Sequence, residues 1–107
     1  MELSNYVLQL SCLAHETRLA IYRLLVSSGS EGVTPGEMIE FLSLPAATLS
    51  FHLKELKIAN LANSRKSGRS IHYSANYETM AQLMQFLTEN CCAGLNQNLN
   101  LTIGAPK

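Results

Sequence analysis

The sequence predicts a mainly α-helical domain carrying one small β-hairpin. Apolar residues recur at helical spacing in five separate segments. One later stretch switches to short strand-like runs around a Ser-Gly turn. The length, 107 residues, is that of one domain with a modest core. The apolar fraction of 47% is ordinary for a globular chain, and there is no internal repeat.

Each element has its own signal. Over residues 2–13, Leu3, Val7, Leu10 and Ala14 make one apolar stripe, and Leu8 and Cys12 lie on the opposite side. A helix with two apolar sides is expected to be sandwiched, with a second subunit as one cover. "HETRLAIYRLLVSSG" is apolar on most faces and reads as a buried helix, closed by the loop "SSGSEG". "TPGEMIEFL" opens with three agreeing signals: Thr34 as N-cap, Pro35 at the first helical position, and Glu37 placed to complete a capping box. Met38, Ile39 and Leu42 supply its buried face.

A tight turn leads into "SLPAATLSFHLKELKIANL". Leu49, Leu53 and Leu56 recur at i, i+4 and i+7 and face the core. Ala47, Thr48, Ser50, Phe51 and Lys54 then point away from that seam. "ANSRKSGRSIHYSA" reads as a hairpin with Arg65, Lys66 and Arg69 at its tip. In "NYETMAQLMQFLTENCCAG", Asn76 is the N-cap and Glu78 favours the positive end of the helix dipole. Met80, Leu83, Met84, Leu87 and Cys91 continue one stripe, and Gly94 is the expected stop. Residues 1–94 thus form one domain, and 95–107, without any period, a flexible tail.

The chain has eight basic and eight acidic residues, which at first argues against nucleic acid. Their distribution reverses that reading. Within residues 43–75 stand Lys54, Lys57, Arg65, Lys66 and Arg69 against Glu55 alone. A basic middle between acidic flanks marks a surface that meets phosphate. The helix order then takes on a meaning. The third and fourth helices with their tight turn form a helix-turn-helix, and the basic hairpin behind them forms a wing. The fourth helix would lie in the major groove, with Ala47, Thr48, Ser50 and Phe51 on its leading face and Lys54 on a phosphate. The wing cations would meet the neighbouring backbone or minor groove. No Gly-rich phosphate loop, zinc-protease motif or nucleophile motif is present, and His15, His52 and His72 lie on separate elements, so no enzyme is expected. No apolar run would span a bilayer and the N-terminus lacks a basic leader; the three cysteines, an odd number, suit reduced thiols. A cytoplasmic protein is expected, with no membrane partner.

"LAHETRLAIYRLL" (residues 13–25) resembles the second-helix signature of the ArsR/SmtB family of winged helix-turn-helix repressors. "LPAATLSFHLKEL" (44–56) resembles its recognition helix, with the Ser-x-His-Leu core at Ser50, His52 and Leu53, and "SGRSIHYSA" (67–75) resembles its wing. Glu16 stands where the family often has proline; a carboxylate is favourable in a first helical turn. The resemblance covers residues 5–93. It implies a homodimer built through the first and last helices, bound to an inverted repeat in duplex DNA. It places His52 on the DNA-reading helix, where His52 either contacts a base or is satisfied locally within the protein.

In that family the sensing site varies. A Cys-x-Cys before the recognition helix is absent here, as is an Asp/His/Glu zinc site on the last helix. What remains is "TENCC-x-G", which resembles arsenic-responsive members with a vicinal cysteine pair at the end of the last helix. Those members usually carry a third cysteine a few residues on, and "AGLNQNLNLT" has none. Trivalent arsenic is therefore the expected inducer, with no permanently bound cofactor. Cys91 and Cys92 are its expected thiolate ligands. Inorganic arsenite prefers three thiolates, and Cys12 could supply the third from the same chain or a partner. A methylated trivalent arsenical needs only two. The thiols could instead sense oxidation or sulfide on the same fold.

Overall fold

The computed structural model of the chain describes residues 2–95; the greater part of the expected tail lies outside them. The order is α1 (Leu3–Leu13), α2 (Glu16–Ser28), α3 (Pro35–Leu42), α4 (Ala46–Ile58), β1 (Ala62–Ser67), β2 (Ser70–Ala75) and α5 (Tyr77–Thr88). This is the winged helix-turn-helix that the sequence predicts. Among the described residues no helix is long and apolar enough to cross a membrane.

Local rules set the element ends. Thr34 Oγ1 accepts the Glu37 N–H at 3.2 Å and Glu37 Oε1 accepts the Thr34 N–H at 2.9 Å, so the capping box of α3 is closed in both directions. These bonds favour the ionised form and hold the Glu37 carboxyl below its ordinary pKa. Ser43, in the left-handed region at φ 53°, ends α3 and turns the chain into α4. Asn76 Oδ1 accepts the Thr79 N–H at 3.1 Å and starts α5.

The core gathers around α2. Ile21 and Leu25 are fully buried there, against Met38 of α3 and the α4 seam of Leu49, Leu53 and Leu56. Each such side chain contributes about 1.5–3 kcal/mol through burial. The hairpin is antiparallel, with Ser67 opposite Ser70, so Gly68 and Arg69 make a two-residue turn. Val33 adds a short bridge to Tyr73, through two backbone bonds of 2.9 and 2.8 Å. That bridge requires Gly32. It sits at φ +80°, and a Cβ there would collide with the Tyr73 carbonyl oxygen.

Three expectations change. First, α5 stops at Thr88 rather than running to Gly94. Asn90 takes the left-handed position at φ 61°, as asparagine can just past a helix end. Cys91 therefore lies in a turn and does not extend the apolar stripe; both Cys91 and Cys92 are exposed. Second, the buried face of α1 is Tyr6, Gln9 and Cys12. Val7, Leu8 and Leu10 are exposed in the single chain, and the Tyr6 ring stacks on Phe86 of α5 at 3.9 Å. Third, α2 is less enclosed than its apolar content suggests, with Leu19 at the surface.

Candidate nucleic-acid interface and thiol pair

The α4 seam decides what α4 can present. With Leu49, Leu53 and Leu56 inward, Ala47, Ser50, Phe51 and Lys54 are exposed and Thr48 is half-buried. Pro45 stands at the N-cap and gives no side-chain cap, so the first N–H groups of α4 are not engaged by one. A helix start of this kind, small and polar on its outer side, fits a major groove. Phe51, 55% exposed, offers an apolar surface of the kind that meets a thymine methyl.

His52 is placed differently. It is 6% exposed, and its Nδ1 accepts a bond from Arg18 Nε at 3.3 Å. Of the two roles that the sequence leaves open, this geometry is that of the locally satisfied histidine. Burial, then the charges of Arg18 and His15, hold its pKa below the ordinary histidine value.

On the wing, Arg65, Lys66 and Arg69 are all exposed. Arg69 is in the turn and Lys66 pairs with Ile71 beside it. Arg65 sits further down β1, and its Nη2 donates to the Glu31 carbonyl at 3.2 Å. The three cations are thus not equivalent: two are at the tip and one also braces the loop before α3.

Between α4 and β2 runs an open groove of about 430 Å³, lined by Ser50, Lys54, Lys57, Ile58 and Tyr73. Lys57 Nζ donates to Ser64 Oγ at 2.8 Å and joins α4 to the hairpin. Lys57 and Tyr73 are absent from the sequence-predicted site. The signal was present for Lys57, which follows Lys54 by three residues on one helix face. For Tyr73 only the fold supplies it.

The thiols fall into two environments. Cys91 Sγ and Cys92 Sγ are 3.3 Å apart and exposed. Cys92 holds this position from a left-handed backbone, φ 62°. Cys12 is buried, its Sγ 3.7 Å from the Glu55 carbonyl. Burial pushes the Cys12 thiol above its ordinary pKa, against the lowering influence of Arg18. Among the described residues no group of three or more His, Cys, Asp or Glu could hold a metal ion. One chain therefore does not bring Cys12 to the pair.

A helix-turn-helix domain model matches residues 13–65. The "Uncharacterized HTH-type transcriptional regulator YceK" of Bacillus subtilis is 39% identical over 63% of this chain and 66% of its own length, just short of two thirds. The structure of an ArsR-like transcriptional regulator from Rhodococcus sp. RHA1 superposes with a TM-score of 0.71 at 23% identity, a likeness of fold, over 78% of this chain and 76% of that one. The "HTH-type transcriptional regulator YgaV" of Escherichia coli is 30% identical over 78% of this chain and 82% of its own. The chain belongs to the family of helix-turn-helix transcriptional regulators. The homologues and the fold are those of DNA-binding transcriptional regulators, not enzymes.

Within such a regulator, we propose that Thr48 and Ser50 carry sequence preference. Alanine at either is expected to cost about 1–3 kcal/mol of discrimination if it meets a base edge. Equal weakening on specific and random duplexes would restrict them to phosphate contacts.

Proposed function

We propose that this protein is a homodimeric transcriptional repressor that leaves its operator, an inverted repeat in duplex DNA, when a trivalent arsenical binds Cys91 and Cys92. The observation that carries the reading is the exposed sulfur pair at 3.3 Å. Two bonds of about 2.3 Å, the usual thiolate–metal length, meet at roughly a right angle over that separation. A pyramidal trivalent centre accepts such an angle, whereas tetrahedral zinc wants a wider one. The buried, protonated Cys12 is at most an auxiliary ligand. The pair alone suits a methylated trivalent arsenical, and arsenite would need a third thiolate from elsewhere. A DNA-bound regulator of this kind works in the cytoplasm.

The dimer reading rests on apolar surface left uncovered in the single chain. Val7 and Leu10 on α1, with Met84 and Leu87 on α5, are 40–57% exposed. A second copy covering both helices would bury them. The turn that carries the thiols follows α5 directly, and Phe86 of α5 stacks on Tyr6 of α1. A ligand that favours a changed α5 end would act on this interface, and hence on the separation of the two recognition helices. Half-sites demand a fixed spacing of about 34–36 Å, so a state with another spacing releases DNA by linkage.

Native mass spectrometry of the reduced protein with methylarsenite tests the ligand assignment. One arsenic per chain is expected, retained in Cys12→Ser and lost in the Cys91→Ser, Cys92→Ser double variant. Equal uptake by the double variant would refute the assignment.

A further inference from the structure

The end of α1 is joined to the recognition helix through one side chain of α2. Arg18 Nη1 donates to the Cys12 carbonyl at 3.1 Å, and Arg18 Nε donates to His52 Nδ1 at 3.3 Å. His52 is held in place besides, with its ring 4.8 Å from that of His15 and 5.2 Å from that of Phe51. The Cys12 thiol makes a second, weaker link to α4 at the Glu55 carbonyl. An open pocket of about 130 Å³ borders these contacts and touches Cys12, Arg18 and Glu55. A guanidinium has donors in a fixed fork, so serving both acceptors fixes the direction of α4 relative to α1.

We propose that Arg18 is a positioning residue for DNA binding: by bridging the Cys12 carbonyl and His52 Nδ1 it holds α4 at the angle at which its outer face meets the groove. This rests on α4 being the DNA-reading helix and is independent of the arsenical reading. The groups facing His52 are Arg18 of α2, His15 at the N-cap of α2 and Glu55 from α4 itself, with the Cys12 thiol of α1 on the other side of Arg18. At neutral pH His52 is unprotonated and Nδ1 accepts. As pH falls through its lowered pKa, a proton occupies Nδ1 and sets a cation against Arg18, so the link breaks on the acid side.

The test is operator affinity for wild type, Arg18→Ala, His52→Ala, the double variant and His52→Asn, at a temperature where circular dichroism shows each folded. Each alanine variant is expected to lose about tenfold, and the double variant no more than either, because the second change removes a link already broken. His52→Asn places an untitratable amide oxygen where Nδ1 stands. It is expected to recover most of the affinity, and to hold it as pH falls while wild type declines relative to it. Should Arg18→Ala not fold, Arg18→Lys carries the test: it keeps the charge but cannot serve both acceptors, and is expected to lose about fivefold. Multiplicative losses in the double variant, superimposable pH profiles of wild type and His52→Asn, or full affinity in the Arg18 variants would overturn the proposal. Failure of the α4 assignment itself would appear separately, as Thr48 and Ser50 variants that bind specific and random duplexes as tightly as wild type.

Discussion

Alanine at Arg65, Lys66 and Arg69 together is expected to flatten the salt dependence of DNA binding and weaken it on every sequence alike. Each phosphate contact adds about 0.9 to the slope of log affinity against log salt. Lys66 and Arg69 stand at the exposed wing tip, while Arg65 divides its donors with the Glu31 carbonyl. A loss of two to three contacts is therefore expected, and the slope falls by about 1.8–2.7. Extrapolated from 1 M to physiological salt, that is roughly a 30- to 200-fold loss of affinity. The readout is fluorescence anisotropy of a labelled duplex across a salt series. An unchanged slope would remove the wing from the interface.

Serine at Cys91 or Cys92 is expected to abolish release by trivalent arsenicals while leaving DNA affinity within about twofold. A hydroxyl is a poor ligand for a soft centre, so the response vanishes and is not merely shifted. Both residues are exposed and outside α5, so neither substitution opens a cavity in the core. Cys12→Ser separates two ligand sets. If it removes the arsenite response and spares the methylarsenite response, a third thiolate is recruited for the inorganic species. If both responses survive, the pair suffices. An operator complex of the Cys91→Ser, Cys92→Ser double variant that still dissociates normally would sink the thiol mechanism.

Much of the fold was legible because it follows rules that act within a few residues. The Thr34–Glu37 capping box, the Asn76 cap and the hairpin are all local chemistry, and each appears in the structure, with the turn at Gly68–Arg69, one residue on from the Ser67–Gly68 signal. The Leu49–Leu53–Leu56 seam was legible because a single apolar period leaves one way to bury α4. Misread features depend on contacts distant in sequence or on a choice between stop signals. Tyr6 and Gln9 lie on the buried side of α1, where Tyr6 meets Phe86, and an apolar stripe pattern cannot foresee that stack. The sequence offers Gly94 as the stop of α5, whereas Asn90 adopts the left-handed conformation first. Of the site, the outward face of α4 was visible in the periodicity. The Arg18–His52 bond joins positions 34 residues apart, and the groove containing Lys57 and Tyr73 exists only once the wing is folded against α4.

The most direct measurement is anisotropy of the wild-type protein on its operator duplex, titrated separately with methylarsenite, arsenite, zinc, cadmium and hydrogen peroxide under reducing-agent-free conditions. Release complete near one equivalent of methylarsenite per chain, with zinc without effect, is the predicted result. Release by peroxide or zinc with no response to either arsenical would contradict arsenic sensing at Cys91 and Cys92.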